Sequence, residues 1–296
     1  MISLDDVIEK VNITQRDRRM VIGIPIIILI LSISVIALNG LSYGTDLEGG
    51  TMVTLTNFTM NGNELQVELR DHFGIADITV KSPNNIGSGP TYIEVPSSIS
   101  PDEITEYFEE TYPGTDLSFS VFDPTVSKEF KSEAMKAIVL AFIAMSIIVF
   151  IVFRNPIPSM TVVFSAISDI GITVALMSVF GINLTLGTIA ALLMVIGYSV
   201  DSNILLTTRL LKRRGEAVAK VKSAMKTGLT MTLTTLSAMI VLYLVSSHPT
   251  LESIAIVLIF ALIIDLMNTW GLNTAVLLWF IERQERTGTR HRRSRR

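Results

Sequence analysis

Apolar residues in this chain fall into six long blocks separated by polar stretches, unlike the one-sided patterns of a water-soluble fold. A helix that crosses a bilayer needs roughly 17 to 25 predominantly apolar residues. Val21–Leu38, Ala137–Phe153, Met160–Phe180, Leu184–Leu206, Thr227–Val245 and Ile254–Ile281 meet that requirement. The pattern predicts a membrane α-helical protein: a polar segment 1–20, a first transmembrane helix over 21–39, five more within 134–281, and a basic tail over 282–296. A cleavable signal peptide is the rival reading of the first block. Its length, and the lack of a small-x-small site after it, argue for a retained span.

Residues 40–133 break the pattern and predict a folded domain inserted between the first two spans. Thr51–Thr56 alternates as a strand does, and Asn61–Phe73 brings Leu65, Leu69 and Phe73 onto one helical face. Ala76–Lys81 and Tyr92–Val95 read as strands on either side of the turn-rich Ser82–Pro90. Ser100-Pro101-Asp102-Glu103 is a capping box with proline at the first helical position, opening a helix to about Tyr112. Pro113-Gly114 ends that helix, and Leu117–Phe122 alternates again. The order βαββαβ predicts an α+β, ferredoxin-like layer.

Composition agrees with a membrane protein: 49% of residues are hydrophobic and 17% are charged, against nearer a quarter charged in soluble chains. The absence of cysteine excludes disulfides and thiolate metal sites. The three histidines, His72, His248 and His291, lie far apart, which argues against a histidine metal site. No metal, cofactor or catalytic residue is expected. Charge adds orientation, because 19 of the 24 Lys and Arg precede the first span, link spans two to three and four to five, or follow the sixth. By the positive-inside rule both termini are cytoplasmic and domain 40–133 is extracytoplasmic, in a multi-pass protein of the cell membrane. That domain holds sixteen acidic against four basic residues, a balance unsuited to nucleic acid. The basic tail His291–Arg296 reads as an anchor beside anionic membrane lipid. Trp270 and Trp279 read as an interfacial aromatic belt. Asn57-Phe58-Thr59 is a glycosylation sequon in the outer domain.

Three aspartates stand within the expected spans: Asp169, Asp201 and Asp265. A carboxylate at bilayer depth costs about 2.5–3.5 kcal/mol on insertion scales, so such residues are functional candidates by default. Ser165 and Thr173 share a face with Asp169, as Asn268 and Thr269 do with Asp265, and Gly197 lies one turn before Asp201. Thr227, Thr230, Thr234 and Ser237 form a hydroxyl stripe on span five that could line a polar core. Two roles are open to these groups: helix–helix glue, or a pathway for protons or sodium ions.

The stretch Tyr43-Gly44-Thr45-Asp46-Leu47-Glu48-Gly49-Gly50-Thr51 is, physically, a turn with paired glycines feeding a strand. It closely resembles the signature that opens the outer domain in the SecD/SecF family, accessory membrane subunits of the Sec protein-export machinery. Within it Gly44, Asp46, Gly49 and Gly50 carry the match. Asp123–Glu129, with Pro124, Val126, Lys128 and Glu129, resembles the family's segment before span two. Ser168-Asp169 resembles its acidic position in span three. The run Ile196–Asn203, with Gly197, Tyr198, Ser199, Asp201 and Asn203, resembles its span-four motif. Bacterial SecF-type chains usually carry Asn-Asp where this chain has Asp201-Ser202. Taken together, the chain looks like an unfused, archaeal SecF-type member.

The resemblance implies an RND-like half-transporter whose bundle is completed by a SecD partner in a hetero-oligomer. It implies association with the Sec translocon channel and with a translocating polypeptide, driven by an ion gradient. Asp169, Asp201, Asp265, Asn203 and Asn268 are then the ion-coupling candidates, and the two motif segments flanking the outer domain are the expected sites where motion of the spans becomes motion outside. A lipid or small-molecule exporter built on the same superfold is the alternative. An intramembrane aspartyl protease pairing Asp169 with Asp201 lacks the Gly-x-Gly-Asp context that class uses.

Overall fold

A computed structural model describes residues 18–58, 60–82, 89–212 and 216–293. The polar segment to residue 17, the sequon's Thr59, Arg213, Arg214 and the tail beyond residue 293 lie outside the described residues. Helix α1 spans Arg18–Asn39, and a one-turn helix α2 follows at Thr45–Glu48. The inserted domain then runs β1 (Gly50–Thr56), α3 (Gly62–Phe73), β2 (Thr79–Lys81), β3 (Thr91–Pro96), α4 (Pro101–Thr111) and β4 (Asp116–Phe122). Five long helices follow: α5 (Pro124–Phe153), α6 (Pro156–Phe180), α7 (Leu186–Lys212), α8 (Ala217–Val245) and α9 (Pro249–Met267). A π-helical segment, Asn268–Asn273, joins α9 to α10 (Thr274–Arg293). Among the described residues, six helical stretches are long and apolar enough to cross a membrane, the last running unbroken over Pro249–Gln284.

The βαββαβ order is present, and the sheet is antiparallel with strand order β2-β3-β1-β4. Both helices cover one face, where Val53, Leu55, Leu65, Ile93, Val95, Ile104 and Phe108 form the core. Local chemistry sets the helix ends. Asn61 accepts from the Asn63 N–H before α3, and Gly74 closes that helix in the left-handed conformation. The Ser100–Glu103 capping box is complete. Inside the helical layer, Glu68 accepts from Tyr107 at 2.7 Å and from Tyr112 at 2.6 Å, tying α3 to α4. β3 is buried on both faces, because Tyr92 and Glu94 point away from the helices toward the span ends. Tyr92 stacks near His248 at the start of α9, and Glu94 accepts from Asn183 between α6 and α7.

Several expectations change. β2 starts at Thr79, since Ala76 and Asp77 form a turn. The segment before span two is helix from Pro124 onward, continuous with the span, because Asp123 caps it, proline sits at the first position and no breaker follows until Arg154. The expected domain limit at residue 133 therefore falls inside α5. Asp123 accepts from the Thr125 N–H at 2.7 Å, which holds its carboxyl below the ordinary range. Trp270 is not interfacial: it lies buried against Gly228, where span six crosses span five. Trp279 is exposed, with the Arg283 guanidinium over its ring.

Candidate functional site

The candidate site sits where α6, α7 and the π segment meet. Ser168 and Asp169 come from α6, Ser199 and Asn203 from α7, and Asp265, Asn268, Thr269 and Asn273 from span six. All eight are buried. Asp169 is completely enclosed, and both its oxygens accept: from Ser199 Oγ at 2.5 Å and from Asn268 Nδ2 at 2.7 Å. Asn268 Nδ2 also lies 3.1 Å from Ser168 Oγ. Asn203 Nδ2 donates to the Ser199 carbonyl, four residues back, at 2.8 Å. Its Oδ1 accepts from Asn273 and lies 3.2 Å from Thr269 Oγ1. Thr269 Oγ1 stands 2.9 Å from Asp265 Oδ1, so its single proton serves Asn203 or Asp265 but not both at once. The two aspartates are thus linked through a chain of amides and hydroxyls that offers alternative proton positions.

The π segment makes this possible. The widened turn over Asn268–Asn273 brings Asn273 round toward the side of Asn268, so that Asn268 reaches Ser168 and Asp169 while Thr269 and Asn273 reach Asn203. Thr274 Oγ1 donates to the Thr269 carbonyl, five residues back, satisfying a backbone acceptor in the widened turn. The Thr274 N–H donates to the same Thr269 carbonyl, so backbone and hydroxyl both close the widened turn. Periodicity arguments assume 3.6 residues per turn and could not foresee it. Asn273 is the residue this missed. An intramembrane Asn five places after another is the signal that could have found it.

Not every candidate joins the cluster. Asp201 is exposed on the surface of α7, with Gly197 on a neighbouring exposed face, whereas Ser199 and Asn203 turn inward. Thr230, Thr234 and Ser237 are exposed as well and donate to carbonyls of their own helix, so the stripe does not line the core. The buried hydroxyl on α8 is Thr232, which accepts from Tyr198 at 2.9 Å. Thr173 bonds the Asp169 carbonyl rather than its carboxylate. Arg209, half-buried near the other end of α7, donates to the Ser223 carbonyl and to Thr227 Oγ1, tying α7 to α8. Beside Asp265 an apolar cavity of about 10 Å³ is lined by Met194, Tyr198, Leu258 and Leu262. It has room for about one water molecule, far too little for a lipid chain.

The flanking motif residues form a separate junction. Gly44 N–H donates to the Leu184 carbonyl at 2.7 Å and Leu184 N–H to the Ser42 carbonyl at 2.8 Å, a short parallel bridge. Asp46 Oδ2 accepts from the Leu186 N–H at 2.6 Å. Burial pushes the Asp46 carboxyl up, the Leu186 N–H pulls it down, and the nearby Glu94 charge adds to the rise; the net direction is upward. Gly49 adopts φ +88°, and a Cβ there would meet Pro124 at 2.6 Å. Lys131 in α5 sits over the Tyr43 ring, 3.2 Å from its centre.

A six-span bundle with buried carboxylates and an inserted ferredoxin-like domain defines a class of membrane transport component, and comparison with known proteins sharpens it. The family described as "Protein export membrane protein SecD/SecF, C-terminal" matches residues 103–283. "Protein-export membrane protein SecF" of Pyrococcus furiosus is 41% identical over 294 residues, covering 96% of this chain and 99% of that protein. The Methanocaldococcus jannaschii protein of the same description is 42% identical, covering 90% of this chain and 96% of that one. The crystal structure of SecDF from Thermus thermophilus superimposes with a TM-score of 0.70 at 18% identity, covering 88% of this chain. This chain spans only 38% of that longer one. The chain belongs to the SecD/SecF family of protein-export membrane proteins, on its SecF side. It is a multi-pass subunit of the Sec protein-export machinery, and that family is one of translocation components, not enzymes.

Proposed function

We propose that this subunit works beside a SecD partner at the Sec channel and uses an ion gradient to promote translocation of polypeptides, with Asp169 and Asp265 as the coupling carboxylates. One observation carries the reading. Two buried aspartates share a hydrogen-bonded chain, and among the described residues no Lys, Arg or His bonds to either. Two carboxylates in that setting cannot both stay charged without a large desolvation cost. They hold a proton or a cation between them, and exchange of that charge across the membrane is the energy source. A unit charge moved through the potential supplies about 2.3 kcal/mol per 100 mV, on the scale of a domain equilibrium of a few kcal/mol.

The basic segments support termini in the cytoplasm and the α+β domain outside, with the polypeptide emerging beside that domain. The SecDF relative is described as translocon-associated, which supports the same assignment here. Asp201, exposed on α7, is suited to contact with the partner bundle rather than to the ion path.

The test is ion-gradient-dependent export in vesicles holding this chain, SecD and the channel. Asp169→Asn and Asp265→Asn should each abolish the gradient-dependent part and leave channel-only export intact. Unchanged stimulation in both variants would refute the coupling role.

A further inference from the structure

The first helical N–H groups of α7 lack partners within their own helix, as at any helix start. Most are served locally: Thr185 N–H donates to Thr188 Oγ1 at 2.7 Å, and Thr188 N–H donates to Thr185 Oγ1 at 3.1 Å. Leu186 N–H instead donates to a carboxylate 140 residues earlier in the chain, that of Asp46. A negative group at a helix N-terminus is favoured by the helix dipole. Here it comes from the turn that leads directly into β1. Leu47, the next residue, belongs to a buried cluster with side chains of spans three, four and six, and its one-turn helix packs on α5 of span two. Gly44 has no room for a side chain, since a Cβ would lie 2.6 Å from Thr185 Cγ2 and 2.9 Å from Asp46 Oδ1.

From Leu186 the helix runs thirteen residues, about 20 Å, to Ser199, which bonds Asp169. A single rigid element therefore touches the carboxylate cluster at its middle and the domain's entry turn at its end. The other charged groups facing this turn are already engaged: Glu94 pairs with Lys81 at 3.0 Å, and Lys131 rests on Tyr43.

We infer that Asp46 is a positioning residue, the pin through which movement of span four is passed to the α+β domain. Its carboxylate grips the start of the helix whose centre carries Ser199 and Asn203. The inference rests on the proposed exchange of charge at Asp169. The backbone bridge between Ser42–Gly44 and Leu184 holds the chain segments side by side, while the Asp46 bond fixes the helix end itself.

The chain has no cysteine, so two can be introduced for spin labels: Val67→Cys on the domain and Val245→Cys at the end of span five, both exposed. Pulsed electron resonance on the full chain with SecD in vesicles reads the distance between them. Asp169→Asn should shift that distance distribution. In an Asp46→Ala background the shift should shrink about threefold or more, the scale on which removing one coupling contact acts. Gly44→Ala, which wedges the turn away from Thr185 and crowds Asp46 Oδ1 while leaving the carboxyl chemistry in place, should do the same and decides the matter if Asp46→Ala fails to fold. Asp46→Asn keeps an acceptor oxygen and should restore part of the coupling. A merely structural Asp46 would move the starting distance but leave the Asp169-dependent shift whole, and a full shift in both backgrounds overturns the inference. If Asp169→Asn moves nothing while export still depends on Asp169, the pin is refuted and the coupling role stands. If export is also indifferent to Asp169, both fall.

Discussion

The α+β domain and the helical bundle bury opposite kinds of side chain. In the domain, Val53, Leu55, Ile93 and Phe108 are inside and the acidic residues of α3 and α4 are mostly outside. In the bundle, Asp169, Asn203, Asn268 and Asn273 are among the most enclosed groups, while Leu140, Ile151 and Val245 are over half exposed. The hydrophobic effect explains only the first arrangement. Lipid tails solvate leucine as well as a neighbouring helix does, so span packing depends on close fit and on polar groups that find no partner in lipid. The domain is held together by what water rejects. The bundle is held by what lipid rejects.

The largest break in this contrast should come from truncating one apolar side chain on each side. Phe108→Ala removes the largest fully enclosed side chain of the domain and should cost about 3–5 kcal/mol. Leu140→Ala, at a residue of span two that is 63% exposed, should cost no more than about 0.5 kcal/mol. Denaturant unfolding of the full chain in detergent, followed by hydrogen exchange of β1 and of α5, separates the two. Equal losses would mean that the bundle also relies on apolar burial.

A smaller effect tests close fit. Gly228 lets span five approach the buried Trp270 ring, and a Cβ at that position runs into it. Gly228→Ala should destabilise the bundle by about 1–3 kcal/mol through overpacking. Replacing Trp270 by Phe in the same chain should recover most of the loss. Thermal unfolding of the single and double variants measures it, and additive losses would argue against the contact.

The domain was legible in sequence because its rules are those of water: period-two strands, one-sided helices, and the Ser100–Glu103 box at its observed place. The spans were legible as lengths, but not their inner and outer faces. Apolar residues surround each helix, so hydropathy says nothing about rotation, and only the buried amides and hydroxyls define it. For that reason hydropathy does not show that Asp169 is enclosed and Asp201 exposed. The hydroxyl stripe of span five misled for a related reason, because a threonine in a helix can satisfy itself on its own backbone. Asp46 was visible as a motif residue. Its partner at Leu186, 140 residues away, belongs to the tertiary structure alone.

The smallest expected effect concerns protons on the two sides of the same contrast. Tyr112 of the domain donates to Glu68, and burial first, then that bond and the Glu68 charge, push its phenol up to about 12 from 10.0. Tyr107, on the same carboxylate, is pushed up further. In the unfolded chain both lose their protons near pH 10, while the folded domain keeps them. Folding therefore binds more protons in that interval, so stability is fully present below pH 10 and declines as pH rises from 10 toward 12. Tyrosinate absorbance of the intact chain should show a late step to which these two tyrosines contribute. Glu68→Gln removes the charge but keeps an acceptor, so the late step should move earlier without returning to 10, because desolvation is the larger cause. A full return would place the effect in the Glu68 charge and make the network between α3 and α4 an electrostatic device instead of a buried one.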